Sequence, residues 1–337
     1  MKAMVLRAPD DVALEAVAEP KPGTDQVLVR VSHSGICGTD LKIYHGAIPV
    51  QYPRIMGHEM VGVVVEGGDD RIQNGQRVIV DPCLYCGVCH ACRAGRTSLC
   101  PNGGLVGRDS NGGFAEYLIA PRSHIFPLPD AIDSRTAPLI QVLTTCLHGQ
   151  RALNIFPGQS AVVMGLGVGG QLHVQLAKAR GAYPVIGITR SPWKRRLAEQ
   201  LGADITLAGG PDALKGVLEA TGGCGADAVI ESTGMVPAIS DAITMAALGG
   251  TLLLFGIVTK FEGTLPLYQL YYKEITIVNG RAAKGEDFPA GIDLVARGAV
   301  KLEPLITHTL PLAELEAAIQ MVGSDAGDRM KIILQNA

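Results

Sequence analysis

Aromatic residues are scarce in this chain: one Trp, six Phe and eight Tyr, 4 % in all over 337 residues. Glycine takes their place, with 42 residues, alongside a hydrophobic fraction of 47 %. Many glycines with few aromatics suit strands and helices alternating through tight turns. An excess of either charge is also missing. Lys and Arg number 29 against 32 Asp and Glu, for a net charge of −3 and a pI near 6.2. No basic field exists to hold a phosphate backbone, which argues against nucleic acid as a partner. Long apolar runs are absent too. Stretches such as Thr251 to Val258 fall well short of the roughly 20 residues of a membrane span. Met1-Lys-Ala-Met-Val-Leu-Arg contains no long apolar h-region, so the expectation is a protein without a secretory signal, cytoplasmic and free of the membrane. Internal repeats and low-complexity tracts are lacking, and the length suggests about two domains.

The cysteines are not spread as in a secreted disulfide scaffold. Four of the eight stand at Cys86, Cys89, Cys92 and Cys100, as two Cys-x-x-Cys steps sharing a cysteine and closed by a fourth. That spacing can wrap a tetrahedral zinc ion, because soft thiolates suit the metal and the metal lowers their pKa until all deprotonate. Four thiolates leave no open position, so such a site is structural. A disulfide-bonded or free cluster and an iron–sulfur centre are the alternatives for the same residues.

Residues 1 to about 140 carry short β-type runs, among them Val27–Ser32, Met60–Glu66 and Arg77–Val80, bounded by Gly and Pro. Near residue 160 the texture changes. Ala161–Met164 reads as a buried strand, followed by glycines, a helix over Gly169–Arg180, a strand at Pro184–Ile188 and a helix through Leu201. Ala228–Glu231, a helix over Pro237–Leu248 and a strand at Thr251–Phe255 continue the alternation, which predicts a doubly wound parallel sheet. An amphipathic stretch at Leu312–Val322 and a last strand at Met330–Leu334 are expected to rejoin the first domain. The fold class is therefore α/β.

Gly165-Leu-Gly167-Val-Gly-Gly170 lies between predicted strand and predicted helix. In that place the glycines allow a tight turn, close approach of a pyrophosphate and helix-on-strand packing, and the helix N-terminus meets the phosphate. The next strand runs into Thr189-Arg190-Ser191-Pro192, then Lys194, Arg195 and Arg196, with no carboxylate. NAD-binding forms place an acid there for the ribose 2′-OH, whereas Arg190 and Lys194 suit a 2′-phosphate. The reading favours NADP over NAD.

Gly35-Ile-Cys37-Gly-Thr39-Asp40 and Gly57-His58-Glu59 place a thiol, an imidazole and a carboxylate in the β-rich half. Together they make a three-ligand zinc site with one position open, although a lone Cys and His are as often core residues. These two motifs stand with the four-cysteine lobe, Gly112-Gly-Phe-Ala-Glu-Tyr117, Gly-Leu-Gly-Val-Gly-Gly and Glu231-Ser-Thr-Gly234. The order resembles that of zinc-dependent medium-chain dehydrogenase/reductases of the alcohol dehydrogenase superfamily, in the sorbitol and threonine dehydrogenase branch. The resemblance covers nearly the whole chain. It implies a GroES-like catalytic domain at 1–141 and 281–337, with a zinc lobe at 83–101, and a Rossmann domain at 142–280. It further implies two zinc ions per chain and a homodimer or homotetramer.

Carried over residue by residue, the resemblance makes Cys37, His58 and Glu59 catalytic-zinc ligands and gives Asp40 the His-orienting role. Thr39 becomes the hydroxyl that takes the substrate's proton, and Thr145 a neighbour of the nicotinamide. Two positions depart from the pattern. Gln141 stands where a Cys, Glu or Asp near the zinc is usual, and a neutral amide is a poor ligand. Lys42 replaces a proton-relaying His, leaving water or His45 as the exit. Tyr44, His45 and Phe114 are candidates to line a pocket, Trp193 to lie near the adenine, and Cys83, Cys146 and Cys224 default to packing. The expected activity is hydride transfer between NADP(H) and a small secondary alcohol, polyol or sugar derivative and its ketone. Rival readings are a zinc-free quinone or enone reductase and a non-catalytic NADP-binding sensor.

Overall fold

A run of buried apolar residues near the start of the chain, Ala3 to Leu6, builds the first strand of a hairpin. In the computed structural model, which describes residues 1–258, 262–323 and 328–336, β1 (Lys2–Ala8) and β2 (Asp11–Ala16) pair across a turn at Asp10, with φ 63°. β3 (Gln26–Gly35) leads into α1 (Gly38–Tyr44), and β4 (Arg54–Ile55), β5 (Glu59–Glu66) and β6 (Arg77–Val80) follow. The cysteine lobe is no bare loop: β7 (Cys83–Leu84) pairs with β8 (Gly104–Leu105) at its root, and α2 (His90–Arg93) lies within. β9 (Tyr117–Pro121), β10 (Ile125–Pro127) and α3 (Leu139–Arg151) complete this half of the chain.

The second half alternates as its periodicity anticipates. β11 (Ala161–Met164), α4 (Val168–Ala179), β12 (Val185–Ile188), α5 (Pro192–Gln200), β13 (Ile205–Leu207) and α6 (Asp212–Ala220) run one way from the sheet centre. β14 (Ala226–Glu231), α7 (Val236–Met245), β15 (Ala246–Leu254), α8 (Leu267–Tyr272) and β16 (Thr276–Asn279) run the other. All six strands are parallel, in the order β13-β12-β11-β14-β15-β16. Alternate residues feed two cores, Ala161 and Val163 on one face and Val162 and Met164 on the other, as a sheet covered on both sides requires. Most element ends shift from expectation by a residue or a few, and the end of α7 shows why. α7 stops at Met245 rather than Leu248, because Ala246 turns extended and Lys273 Nζ caps the carbonyls of Thr244 and Ala246 at 2.8 Å each. The strand then begins early and passes through Gly249 at φ 71°.

The chain returns through α9 (Asp287–Ala296), β17 (Ile306–Pro311), α10 (Leu315–Gly323) and β18 (Lys331–Gln335). One compact unit comprises Met1–Val142, Lys284–Ala296 and Leu302–Ala337, and the other Leu143–Ala283 with Arg297–Lys301. Residues 297–301 join the parallel-sheet unit because the Gln175 amide and the Lys301 backbone hydrogen-bond both ways, at 3.0 and 2.7 Å. In the first unit the main sheet runs β10-β6-β5-β3-β18-β17. β3 pairs with β9 over Gln26–Arg30 and with β18 over His33–Gly35, so Gly35 lies between Glu59 of β5 and Ile333 of β18. Among the described residues no helix is long and apolar enough to cross a membrane.

Candidate metal centres and dinucleotide turn

The short β7–β8 pair holds the ends of the cysteine lobe together, and the four sulfurs of Cys86, Cys89, Cys92 and Cys100 gather within 4.8 Å of one another. None of the four is in a disulfide. Backbone amides are aimed at them: the Cys86 N–H at the Cys100 sulfur and the Cys92 N–H at the Cys89 sulfur, both at 3.4 Å. Amides of Val88 and Cys89 hold the Cys86 thiol down to about 6, while burial pushes that of Cys92 up. Converging sulfurs with amides pointed at them are the donor set a zinc ion takes as thiolates.

The second cluster is built where α1 meets the start of β5. Cys37 is the N-cap of α1, and its own N–H donates to Asp40 Oδ2 at 2.9 Å. The other Asp40 oxygen lies 3.3 Å from His58 Nδ1, with both side chains buried. Burial alone would lower the His58 pKa, but Asp40 and Cys37 together outweigh it and hold the imidazole well above its ordinary value. The Cys37 sulfur is the ring's other hydrogen-bonding neighbour. Donor atoms of Cys37, His58 and Glu59 lie within 4.8 Å of one another. A thiol and an imidazole whose second nitrogen a carboxylate has taken fit zinc.

Glu59 is more constrained than its place in the motif suggests. It is fully buried, and Lys331 Nζ sits 2.7 Å from Oε1 and 2.6 Å from Oε2 while also donating to the Ile36 carbonyl at 2.9 Å. Gly35 makes the space, since a Cβ there would stand 2.1 Å from Glu59 Oε2. Lys331 lies in no motif, and Gly35 opens the Cys37 motif without a role of its own there. The available signal was a lysine opening an otherwise apolar strand. Thr39 is half-buried on the first turn of α1 and Lys42 half-buried on its last, and Gln141 is buried at the start of α3. Tyr44 and Phe114 are buried in one core cluster, so packing accounts for both. The Tyr44 hydroxyl donates to the Asp10 carbonyl, and exposed His45 pairs with the Asp10 carboxylate.

In the parallel-sheet unit, Gly165 turns with φ 86°, and a Cβ on Gly170 would lie 1.9 Å from the Gly165 carbonyl. Gly167 caps α4 without a side chain, and a Cβ there would meet nothing within 4 Å. The turn is tight on its protein side and open on the other, the cradle a pyrophosphate needs at a helix N-terminus. Cys146, beside half-buried Thr145 on α3, reaches the Gly169 carbonyl at 3.6 Å. At the end of β12 the Arg195 guanidinium donates to the carbonyls of Thr189 and Arg190, at 3.1 and 3.4 Å. Arg195 thus shapes the loop, leaving Arg190 exposed, and Lys194 Nζ lies 5.5 Å from the Trp193 ring centroid.

Comparison with known proteins agrees with this layout. Residues 23–130 match the alcohol dehydrogenase GroES-like domain, and residues 167–297 match the zinc-binding dehydrogenase domain. L-galactonate-5-dehydrogenase of Escherichia coli K12 is 32 % identical over 94 % of this chain and 93 % of its own. Sorbitol dehydrogenase of Halalkalibacterium halodurans is 31 % identical over 96 % and 95 %. A crystal structure from Sinorhizobium meliloti 1021, described as that of a zinc-binding dehydrogenase bound to NADP, superposes with a TM-score of 0.93. It is 33 % identical and covers 99 % of this chain and 98 % of its own.

Proposed function

The chain belongs to the zinc-type alcohol dehydrogenases of the medium-chain dehydrogenase/reductase family, and we propose that it exchanges hydride between NADP(H) and a polyol, sugar derivative or small secondary alcohol. The observation that carries this reading is Cys37 beside His58 with Asp40 on the second ring nitrogen. Sorbitol and L-galactonate in the names of relatives support a polyhydroxy substrate. The end of β12, without a carboxylate and with Arg190 and Lys194 at hand, supports NADP, as does the NADP in the S. meliloti structure.

When bound, zinc would supply Lewis acidity to the substrate oxygen, and the nicotinamide would accept or donate the hydride. The protein's part is placement and charge. Cys37 and His58 hold the metal, Asp40 fixes the ring that faces it, and the Cys86–Cys100 lobe takes a second, structural zinc. Thr39, two residues beyond Cys37 on the first turn of α1, carries the substrate's proton away. Lys331 neutralises Glu59, and Gln141 adds no charge, so among the groups that would touch the metal only the Cys37 thiolate is a net negative charge, with Asp40 one step behind His58. Such a metal is left electron-poor, which strengthens its pull on a substrate oxygen. The functional form is a homo-oligomer.

The test is zinc stoichiometry on the purified protein and on Cys37→Ala. About two zinc per chain should fall to about one in the variant. The intact protein should then oxidise polyols with NADP⁺ in preference to NAD⁺. One zinc, unchanged by the substitution, would mean that only the lobe is filled and would refute alcohol oxidation at Cys37.

A further inference from the structure

The strand order of the parallel sheet reverses between β11 and β14, where Met164 and Glu231 stand side by side in register. A doubly wound sheet is two mononucleotide-binding halves, and a dinucleotide lies across the crevice at this reversal. Each half has its own first strand-to-helix turn: Gly165–Gly167 after β11 and Ser232–Gly234 after β14. The first leaves the N-terminal amides of α4 without a side-chain cap and so available to a phosphate. The N-terminal amides of α7 likewise have no side-chain cap, and the two halves differ in the turn before the helix.

There the carboxylate of Glu231 takes the donors. Oε1 accepts the Thr233 N–H at 2.7 Å, the Thr233 hydroxyl and the Gly234 N–H at 3.2 Å, and Oε2 accepts the Gly234 N–H at 3.1 Å. Glu231 is fully buried, and neighbouring backbone closes over it: a Cβ on Gly256 would lie 2.9 Å from its Oε2. Ser232 Oγ donates to the carbonyls of Met164 and Gly165, at 2.8 and 2.7 Å, tying the second turn to the first. A serine, threonine or asparagine holds such a turn at smaller desolvation cost than a carboxylate, so the charge calls for a reason of its own.

We propose that Glu231 is a positioning residue that occupies the anion cradle of the second half, turning it away from phosphate and giving it to the nicotinamide end of the cofactor. The proposal rests on the dinucleotide reading above. An internal anion repels a second phosphate-binding mode and fixes the direction in which the dinucleotide lies. It also favours the cationic oxidised ring over the neutral reduced one.

The experiment titrates three ligands, NADP⁺, NADPH and nicotinamide-free 2′-phospho-ADP-ribose, into the wild type and Glu231→Gln. In the variant NADP⁺ should weaken about tenfold, the order one charge exerts across a partly buried site. NADPH should weaken much less, and the nicotinamide-free fragment scarcely. Equal weakening of all three ligands would reduce Glu231 to a structural role and overturn the proposal, as would no change in any. Thr233→Val serves if the Gln variant does not fold. It keeps the charge and loses one donor, so the ratio of NADP⁺ to NADPH affinity should hold, and a fall in that ratio would overturn the idea. A wild type that binds none of the three ligands would instead refute the dinucleotide reading, a separate failure.

Discussion

Lys331 places an ammonium on both oxygens of a buried carboxylate 272 residues away in sequence. Each partner alone would be an uncompensated charge in the core, and breaking such a pair by removing one member costs about 3–5 kcal/mol. Lys331→Met should therefore lower the melting temperature of the metal-free protein sharply. Zinc should restore more of the loss than it adds to wild type, because the freed Glu59 can then turn to the metal. Equal zinc stabilisation of both proteins would show that Glu59 does not respond. Gly35→Ala tests the same space from the other side. Its new Cβ would overlap Glu59 Oε2, an overpacking error of about 1–3 kcal/mol, and the variant should lose the zinc at Cys37 while keeping the one in the lobe. Cys37, His58 and Glu59 were legible in the sequence by residue type and motif. Lys331 was not, since the pairing of β18 with β3 that delivers it is a long-range contact, and a lysine before Ile-Ile-Leu reads as an ordinary strand start.

Two elements carry opposite pH responses. Asp81, just past the end of β6 at the root of the cysteine lobe, is pushed up to about 7 by burial, with a smaller push from Asp287 and the Cys83 N–H pulling the other way. Its folded pKa lies above the ordinary 3.8, so the folded protein keeps a proton that the unfolded chain has released. That contribution to stability is full at acid pH and is lost as pH rises through about 7. His173 on α4 is lowered by burial to about 3 from 6.5. It stays neutral in the fold where the unfolded chain takes a proton, so its contribution is full above 6.5 and is lost as pH falls toward 3. Thermal melts across this range should show Asp81→Asn flattening the decline from about pH 4 to 7 and His173→Asn flattening the acid limb. Parallel curves for wild type and both variants would contradict the assignment. Sequence periodicity indicated where these elements lie but not such charges. The end of α7 escaped it for a similar reason: three residues with helical propensity were overruled by Lys273, which reaches the helix terminus from beyond α8.

At the scale of the whole molecule, the alternation of strand and helix after residue 160 made the parallel sheet legible, whereas the crossing of 297–301 into it depends on one Gln175 side chain. The surface was less legible still. Leu267, Tyr268, Tyr271 and Tyr272 on α8 are all exposed, Tyr271 at 81 %, and so is Ile277 on β16, the terminal strand of the sheet. Exposed apolar patches beside an uncovered sheet edge mark an interaction surface. Between Leu265 and Asn279 the only charged residues are Lys273 and Glu274, and the Lys273 ammonium faces the carbonyls at the end of α7. A patch so poor in charge presents little repulsion to its own copy, and an edge strand paired antiparallel about a two-fold axis is self-complementary. A homodimer joined through β16 would account for the homo-oligomer proposed above. Light scattering at micromolar concentration should give twice the chain mass. Ile277→Lys combined with Tyr271→Glu should halve it, with the zinc content retained because both substitutions lie in the parallel-sheet unit and the cysteine and histidine donors belong to the other unit. A dimer that survives the double substitution would place its interface elsewhere on the surface. A wild-type monomer would leave the tyrosines of α8 for a different partner.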